Sequence, residues 1–338
     1  MATRVAINGF GRIGRCFLRS AVGNPDVEVV AINDLGSLEN LAYLLQYDSA
    51  YGRTPFTVAV DGTALVVDGK SVAFLSEKDP TALPWGKMNV DVVVESTGVF
   101  DSFEKASVHI AAGAKRVVIS APVKDDMPNA ATVLMGVNED KLGVCSITSN
   151  ASCTTNATSP LIAILDEAVG VEKALLNTTH AYTATQSIVD SPVKGNDFRR
   201  GRAAAQNMAP SSTGAAIAVT KAYPNLVDKF DGVAVRVPVV AGSLADITFL
   251  AKRDTTAEEV NSILEKAAGE ARWAGIFTTT REQLVSSDIV GQPYGSIADL
   301  SMTRVVGGNL VKVLAWYDNE MGYTHTLLRH VIKTGTHI

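Results

Sequence analysis

The sequence predicts an α/β protein of two domains, a doubly wound and mostly parallel sheet followed by an α+β domain with a mostly antiparallel sheet. Three observations carry that expectation. The chain has 338 residues, more than one ordinary core accommodates. Its first 150 residues alternate short apolar strands with helix-like stretches. After Cys153 the strands lengthen and alternate apolar with polar residues, as half-buried strands do.

The elements follow in order. Residues 4–8 and 27–33 read as buried strands, and the stretch between them carries Ile13, Phe17, Leu18 and Val22 on one helical face before Gly23-Asn24-Pro25. That is a βαβ unit. Residues 57–69 form a hairpin pattern with Asp-Gly at 61–62 and again at 68–69. Strands are expected at 91–95, 117–120 and 145–148, and a helix at 102–112. Beyond Cys153 the pattern predicts strands at 233–240, 246–252 and 310–317, and helices near 154–168, 212–222 and 256–269. A long polar connection spans 186–211, a length that usually serves function. The end, 319–334, reads as a helix that packs back on the first domain. The expected domains are therefore 1–151, completed by 319–338, and 152–318.

Composition narrows the function. Content of 46% hydrophobic and 19% charged residues is that of a folded globular protein. A net charge of −5 gives no basic footprint for a dedicated nucleic-acid site. No run of eighteen apolar residues suggests a membrane span. The first residues enter a strand at once, with no room for a cleavable signal. Cys16, Cys145 and Cys153 fit neither a disulfide framework nor a metal-ligand spacing, so no metal is expected. Free thiols suit a reducing, cytoplasmic setting.

Two constellations carry chemistry. Gly9-Phe-Gly-Arg-Ile-Gly14 follows a strand and opens a helix, the placement a dinucleotide pyrophosphate requires. Asp34 comes twenty residues after Gly14, at the end of the second strand, where a carboxylate binds ribose hydroxyls. An acidic Asp34 followed by Leu35 disfavours a 2′-phosphate, so the expected cofactor is NAD. The second constellation is Cys153 with His180. Cys153 sits at the start of a helix, where the dipole and unpaired N–H groups favour thiolate. His180 ends a strand, and an imidazole near the thiol would form an ion pair with it and move protons. Cys16 falls inside the first helix and Cys145 in an apolar strand, positions that suit inert side chains.

Four separated blocks give a resemblance. Ala151-Ser-Cys-Thr-Thr-Asn156, His180-Ala-Tyr-Thr-Ala-Thr-Gln186, Ser212-Thr-Gly-Ala-Ala216 and Arg236-Val-Pro238 stand in the order found in phosphorylating glyceraldehyde-3-phosphate dehydrogenases. The chain resembles that family from Ala6-Ile-Asn-Gly-Phe-Gly-Arg-Ile-Gly-Arg15 to Trp316-Tyr-Asp-Asn-Glu320.

The resemblance implies a Rossmann-type NAD-binding domain, a catalytic domain and a homotetramer. It implies Cys153 as nucleophile and His180 as base. Thr183 and Arg236 would hold the substrate phosphate. Ser152, Thr154, Thr213 and Gly214 would bind the attacking inorganic phosphate, with Arg200 nearby. Gly9, Gly11, Arg12, Ile13, Gly14, Asp34, Lys78, Thr97, Ser120 and Asn319 would line the cofactor, and Asn319 would orient the nicotinamide carboxamide. Erythrose-4-phosphate dehydrogenase shares this fold and catalytic pair and is the alternative; it generally lacks an aspartate at the position of Asp34. The chain departs from the family at Met321, where tryptophan is usual, and at Ile217, where lysine is common.

Overall fold

A computed structural model describes residues Met1–Ile338, and the chain divides into two compact units. The first comprises Met1–Val133, Glu139–Ala151 and Leu327–Ile338; the second comprises Leu134–Asn138 and Ser152–Thr326.

The first unit begins with β1 (Thr3–Asn8), α1 (Arg12–Ala21), β2 (Val27–Asn33) and α2 (Leu38–Gln46). A meander follows, β3 (Val58–Asp61), β4 (Ala64–Val67) and β5 (Lys70–Leu75). Asp-Gly at 61–62 turns the chain from β3 into β4, and the second pair, Asp68 at φ 49° and Gly69 at φ 74°, turns it into β5. Then come β6 (Val92–Glu95), α3 (Phe103–Ala106), α4 (Val108–Ala111), β7 (Arg116–Ile119), β8 (Ala130–Thr132) and β9 (Ile147–Ser149). The helix expected over 102–112 is two short helices that meet at Ser107, whose hydroxyl donates to the Glu104 carbonyl at 2.6 Å. Such a bond offers the backbone an alternative to the helical ladder.

These strands form one sheet in the order β8-β9-β7-β6-β1-β2-β5-β4-β3. Every pair from β8 to β5 is parallel, and the two meander pairs are antiparallel. Parallel strands are covered on both faces, so β6, Val-Val-Val-Glu, is buried throughout. The chain runs outward from β1 in both directions, which places the switch point at the carboxyl ends of β1 and β6.

The second unit starts on α5 (Cys153–Val169), which leads into β10 (Val171–Ala181). The rest of the unit adds β11 (Ala209–Ser212), α6 (Ala215–Ala222), β12 (Phe230–Val237), β13 (Ser243–Ala251), α7 (Ala257–Ala268), β14 (Phe277–Thr280), α8 (Ser286–Ile289), β15 (Ser296–Asp299), β16 (Arg304–Val306) and β17 (Leu310–Tyr317). The sheet order is β11-β12-β10-β13-β17-β15-β14, with β16 also on β17. It is mixed but mostly antiparallel; only β10/β12 and β14/β15 run parallel. The strand expected at 233–240 ends at Val237 because Pro238 has no N–H for the ladder. Leu161, Leu165, Val219, Leu264, Ile247, Phe249 and Val313 pack α5, α6 and α7 against one face of the sheet. No helix is long and apolar enough to cross a membrane.

The last helix, α9 (Met321–Gly335), starts in the second unit and finishes in the first. Asp318 caps it, its Oδ1 accepting from Glu320 N at 2.8 Å and Met321 N at 2.9 Å.

Candidate active site

The first unit builds a cradle at the carboxyl ends of its parallel strands. Gly9 has a φ of 95°, and a Cβ there would lie 2.6 Å from Thr97 N. A Cβ on Gly14 would lie 2.2 Å from the Gly9 carbonyl oxygen, so helix and strand pack only through glycine. A Cβ on Gly11 would meet nothing within 4 Å. That open side faces the approach to α1, whose N-cap Gly11 offers no side chain to the first N–H groups. Those unpaired donors suit a pyrophosphate.

Asp34 closes over the same turn, accepting from Phe10 N at 2.6 Å and Gly36 N at 2.8 Å. Lys78, Thr97 and Ser120 follow the ends of β5, β6 and β7. Ile13 lies half-buried in the first turn of α1. Arg12 pairs with the buried carboxylate of Asp48. Burial pushes that carboxyl up, but Arg12 and the N–H groups of Ala50 and Tyr51 outweigh it and hold it below the usual range.

The strand ends are braced by a polar network. Glu95 is buried and accepts from Asn8 Nδ2 at 2.6 Å, His109 Nε2 at 3.0 Å and Thr97 N at 2.8 Å. Trp85 Nε1 donates to His109 Nδ1 at 3.1 Å, which leaves the ring proton on Nε2 for the carboxylate. The sequence reading missed Glu95 and His109; an acidic residue ending an apolar Val-Val-Val run was the available signal.

In the second unit, Ser152 is the N-cap of α5, and its hydroxyl accepts from Thr155 N at 3.1 Å. Cys153 is therefore the first helical residue, followed by N–H groups without intrahelical partners. Ala151, just before, is held at φ 53°, a left-handed conformation uncommon for a residue with a Cβ. The chain is thus turned sharply into the helix where the thiol sits.

The parallel register of β10 with β12 sets His180 opposite Arg236. Cys153 Sγ lies 3.3 Å from His180 Nε2. His180 Nδ1 lies 2.6 Å from both the Ala181 carbonyl oxygen and Arg236 Nη1. One nitrogen serves only one of these at a time. With its proton donated to Ala181, Nε2 is an acceptor aimed at the thiol. With its lone pair toward Arg236, Nε2 carries the proton and donates to sulfur. Both ring forms are neutral.

The surroundings of Cys153 and His180 act on both members of the pair. Burial, reinforced by the charge of Arg236, lowers His180 to about 3. Burial pushes the Cys153 thiol up, against Arg236 and hydrogen bonds from Thr154. Both shifts favour a thiol beside a neutral imidazole, and Arg236 supplies a positive charge beside the sulfur without an imidazolium.

The anion-binding candidates fall into three groups. Arg200 donates from Nε to Asp197 at 3.1 Å, from Nη1 to Thr185 Oγ1 at 3.2 Å and from Nη2 to Ser211 Oγ at 3.1 Å. Thr183 Oγ1 lies 2.9 Å from Thr185 Oγ1, which brings Thr183 beside Arg200. Thr213 and Gly214 open α6, with Gly214 as an N-cap that has no capping side chain.

The Thr154 hydroxyl is buried against Tyr317 OH at 2.9 Å, and the side chain and backbone N–H of Thr154 also face the Cys153 sulfur. Tyr317 OH also meets Thr178 Oγ1 at 2.8 Å, and its ring stands edge-on to His180 at 5.9 Å. Burial pushes the Tyr317 phenol above its ordinary value. The sequence placed Tyr317 in a strand but gave it no role. The 186–211 connection is folded on itself, with Ser187 N bonded to Arg200 O at 3.0 Å and Ser191 N to Gly201 O at 2.9 Å.

Comparison with known proteins agrees with this geometry. Residues 3–103 match the NAD binding domain of glyceraldehyde 3-phosphate dehydrogenase, and residues 152–319 match its C-terminal domain. The chain is 46% identical to glyceraldehyde-3-phosphate dehydrogenase of Streptomyces coelicolor, over 100% of both chains. It is 47% identical to glyceraldehyde-3-phosphate dehydrogenase 1 of Bacillus subtilis over 99% of this chain and 100% of that one. The enzyme from Geobacillus stearothermophilus is 47% identical over 97% of each. A dinucleotide cradle, a thiol–imidazole pair and two matching domains spanning most of the chain make it a member of the glyceraldehyde-3-phosphate dehydrogenase family, an NAD-dependent enzyme.

Proposed function

We propose that the chain oxidises D-glyceraldehyde 3-phosphate with NAD⁺ and inorganic phosphate to 1,3-bisphosphoglycerate, through a thioester on Cys153. The observation that carries this is the Cys153 Sγ to His180 Nε2 contact of 3.3 Å at the first residue of a helix. Sister chemistry on erythrose 4-phosphate is less favoured, because the full-length relatives carry the glyceraldehyde-3-phosphate name and this chain has Asp34 where the sister enzyme generally lacks an aspartate.

His180 in its acceptor form takes the Cys153 proton as sulfur bonds to the aldehyde carbon, and the imidazolium passes that proton to the carbonyl oxygen, which leaves a hemithioacetal and a neutral ring. Arg236 offsets the developing negative charge. Deprotonation of the hemithioacetal hydroxyl by His180 then accompanies departure of the hydride. Gly9, Gly11, Arg12, Ile13, Gly14, Asp34, Lys78, Thr97, Ser120 and Asn319 would hold NAD⁺, which would supply the hydride acceptor when bound. A phosphate oxygen attacks the thioester carbon, and the carbon–sulfur bond breaks to return the thiolate. Covalent catalysis divides one hard oxidation into these easier steps.

Thr183 and Arg236 hold the substrate phosphate. The attacking phosphate takes Thr213, Gly214 and the first N–H groups of α5 at Cys153 and Thr154, with Ser152 as their cap and Arg200 nearby. Helix N-termini and guanidinium groups are the natural partners of phosphate oxygens.

The family models at 3–103 and 152–319 support an NAD-binding domain, 1–151, followed by a catalytic domain from 152; for the proposed completion of the first by 319–338, support comes from Leu327–Ile338, which group with the first unit while 319–326 group with the second. A homotetramer is supported by apolar side chains that one copy leaves uncovered on the sheet of the second unit, such as Leu175 at 66% and Val233 at 56% exposure. Three free thiols support a cytoplasmic, reducing location.

The test follows NADH absorbance with glyceraldehyde 3-phosphate, with and without phosphate, in wild type and Cys153→Ser. Phosphate-dependent turnover that collapses in the serine variant is expected. Near wild-type turnover in that variant overturns the mechanism, and faster use of erythrose 4-phosphate transfers the activity to the sister reaction.

A further inference from the structure

One hydroxyl links the strand of the catalytic base to Asn319. Ser243 opens β13 and is 1% exposed. The preceding Gly242 has a φ of 88°, and a Cβ there would lie 2.2 Å from the Ser286 carbonyl oxygen, so the start of the strand is pinned against α8. Register pairs Ser243 with Tyr317, two residues before Asn319. Ser243 Oγ accepts from Ala181 N, next to His180, at 3.1 Å. It donates to Asn319 Oδ1 at 3.0 Å.

Hydrogen counting fixes the amide. A serine hydroxyl has one proton, and here that proton has one acceptor, Asn319 Oδ1. Flipping the amide would set Nδ2 against Oγ and leave the buried hydroxyl proton without an acceptor. The backbone cannot turn to compensate. Asp318 holds it on both sides, accepting from Glu320 N and Met321 N through Oδ1 and from Gly291 N at 2.7 Å through Oδ2. Asn319 is 95% buried, and its Nδ2 makes no hydrogen bond within the chain. The amide is thus anchored through its oxygen, while Nδ2 is not among the sealed, unpaired polar atoms of the chain and stays open to an acceptor from outside.

We infer that Ser243 is a positioning residue: its hydroxyl sets the direction of the Asn319 amide, so that Nδ2 meets the carbonyl oxygen of the nicotinamide carboxamide. This rests on the NAD reading of the site. Without the hydroxyl the amide turns freely and presents oxygen as readily as nitrogen, so the ligand oxygen loses its donor.

The experiment measures dissociation constants by titration calorimetry for NAD⁺, its thionicotinamide analogue and ADP-ribose, in the holo-competent full chain and in Ser243→Ala. ADP-ribose lacks the nicotinamide and reads the cradle alone. The expected result is a three- to tenfold weaker NAD⁺ constant, on the order of one hydrogen bond. ADP-ribose binding stays unchanged, and the thionicotinamide analogue, which has sulfur for the carbonyl oxygen, weakens less than NAD⁺. Equal weakening of all three ligands, or no weakening of NAD⁺, overturns the inference. Failure of the wild type to bind NAD⁺ while its fold is intact overturns the cofactor reading instead.

Discussion

His180 and His330 share a state and differ in everything that follows from it. Burial lowers both to about 3, and both rings are neutral at physiological pH. His330, on α9, is wholly enclosed: Nδ1 donates to Asn150 Oδ1 at 3.1 Å, and Nε2 accepts from Thr148 Oγ1 at 2.7 Å. Each nitrogen has one partner of the right polarity, so the ring has nothing left to do but hold α9 to β9. His180 has a thiol on one nitrogen and two rivals for the other. Its tautomer is undecided by the protein, which is what a proton-moving group requires. A depressed pKa therefore marks burial in both places, and only the surplus of partners marks the base.

The largest expected effect separates the two by function. His180→Asn lowers kcat by about 10²- to 10⁴-fold, the usual contribution of a positioned acid–base group, while the urea midpoint stays close to wild type. His330→Leu does the reverse. It removes the ring partner of the Thr148 hydroxyl and of Asn150 Oδ1 in a buried site, at about 1–3 kcal/mol for each lost partner. Urea titration reads that loss, and kcat per folded molecule remains near wild type. A His330 variant with full stability and lost turnover would break the comparison.

A smaller effect is shared. Each ring is neutral when folded, while the unfolded histidine takes a proton near pH 6.5. Above that pH each contributes its full share of stability. As pH falls from 6.5 toward 3, the unfolded chain binds protons that the folded chain refuses, so stability drops. The slope is at most about 1.4 kcal/mol per pH unit for each ring. Between pH 5 and 6.5 few carboxylates titrate, and His330→Leu should flatten the curve of unfolding free energy against pH in that window. An unchanged slope would mean that His330 already carries a proton in the fold.

These contrasts also show how far the sequence could be read. The strands Val27–Asn33 and Leu310–Tyr317 coincide with the expected 27–33 and 310–317, because apolar runs and alternation are local signals. The pairing of Cys153 with His180 was legible from a helix start and a strand end. The partner of each side chain was not. Arg236 reaches His180 only through the parallel register of β10 and β12, which no local pattern encodes. The contact of the Thr154 hydroxyl with Tyr317 was not legible either, because the pairing of β17 brings the phenol in. His330 sits among Thr324, Thr326 and Thr334 in a helix that periodicity alone describes as amphipathic. Its burial against β9 comes from the tertiary fold. Hydrophobic period reports which face is inside; it does not report which polar group waits there.

The smallest effect tests the causes of the two depressed values. Burial accounts for His330 by itself, whereas His180 is also held down by Arg236, with a lesser push from Arg200. Removing that charge by Arg236→Gln should let the His180 titration rise from about 3 toward its ordinary 6.5, without passing it. Proton NMR of the imidazole resonances reads both rings in one sample, and His330 should not move. The same variant loses a charge that favours the Cys153 thiolate, so the pH midpoint for alkylation by iodoacetamide should shift alkaline. An equal shift in both histidines would mean a general loosening of the fold. No shift in His180 would mean that desolvation sets both values, and the charge of Arg236 would then serve the substrate phosphate alone.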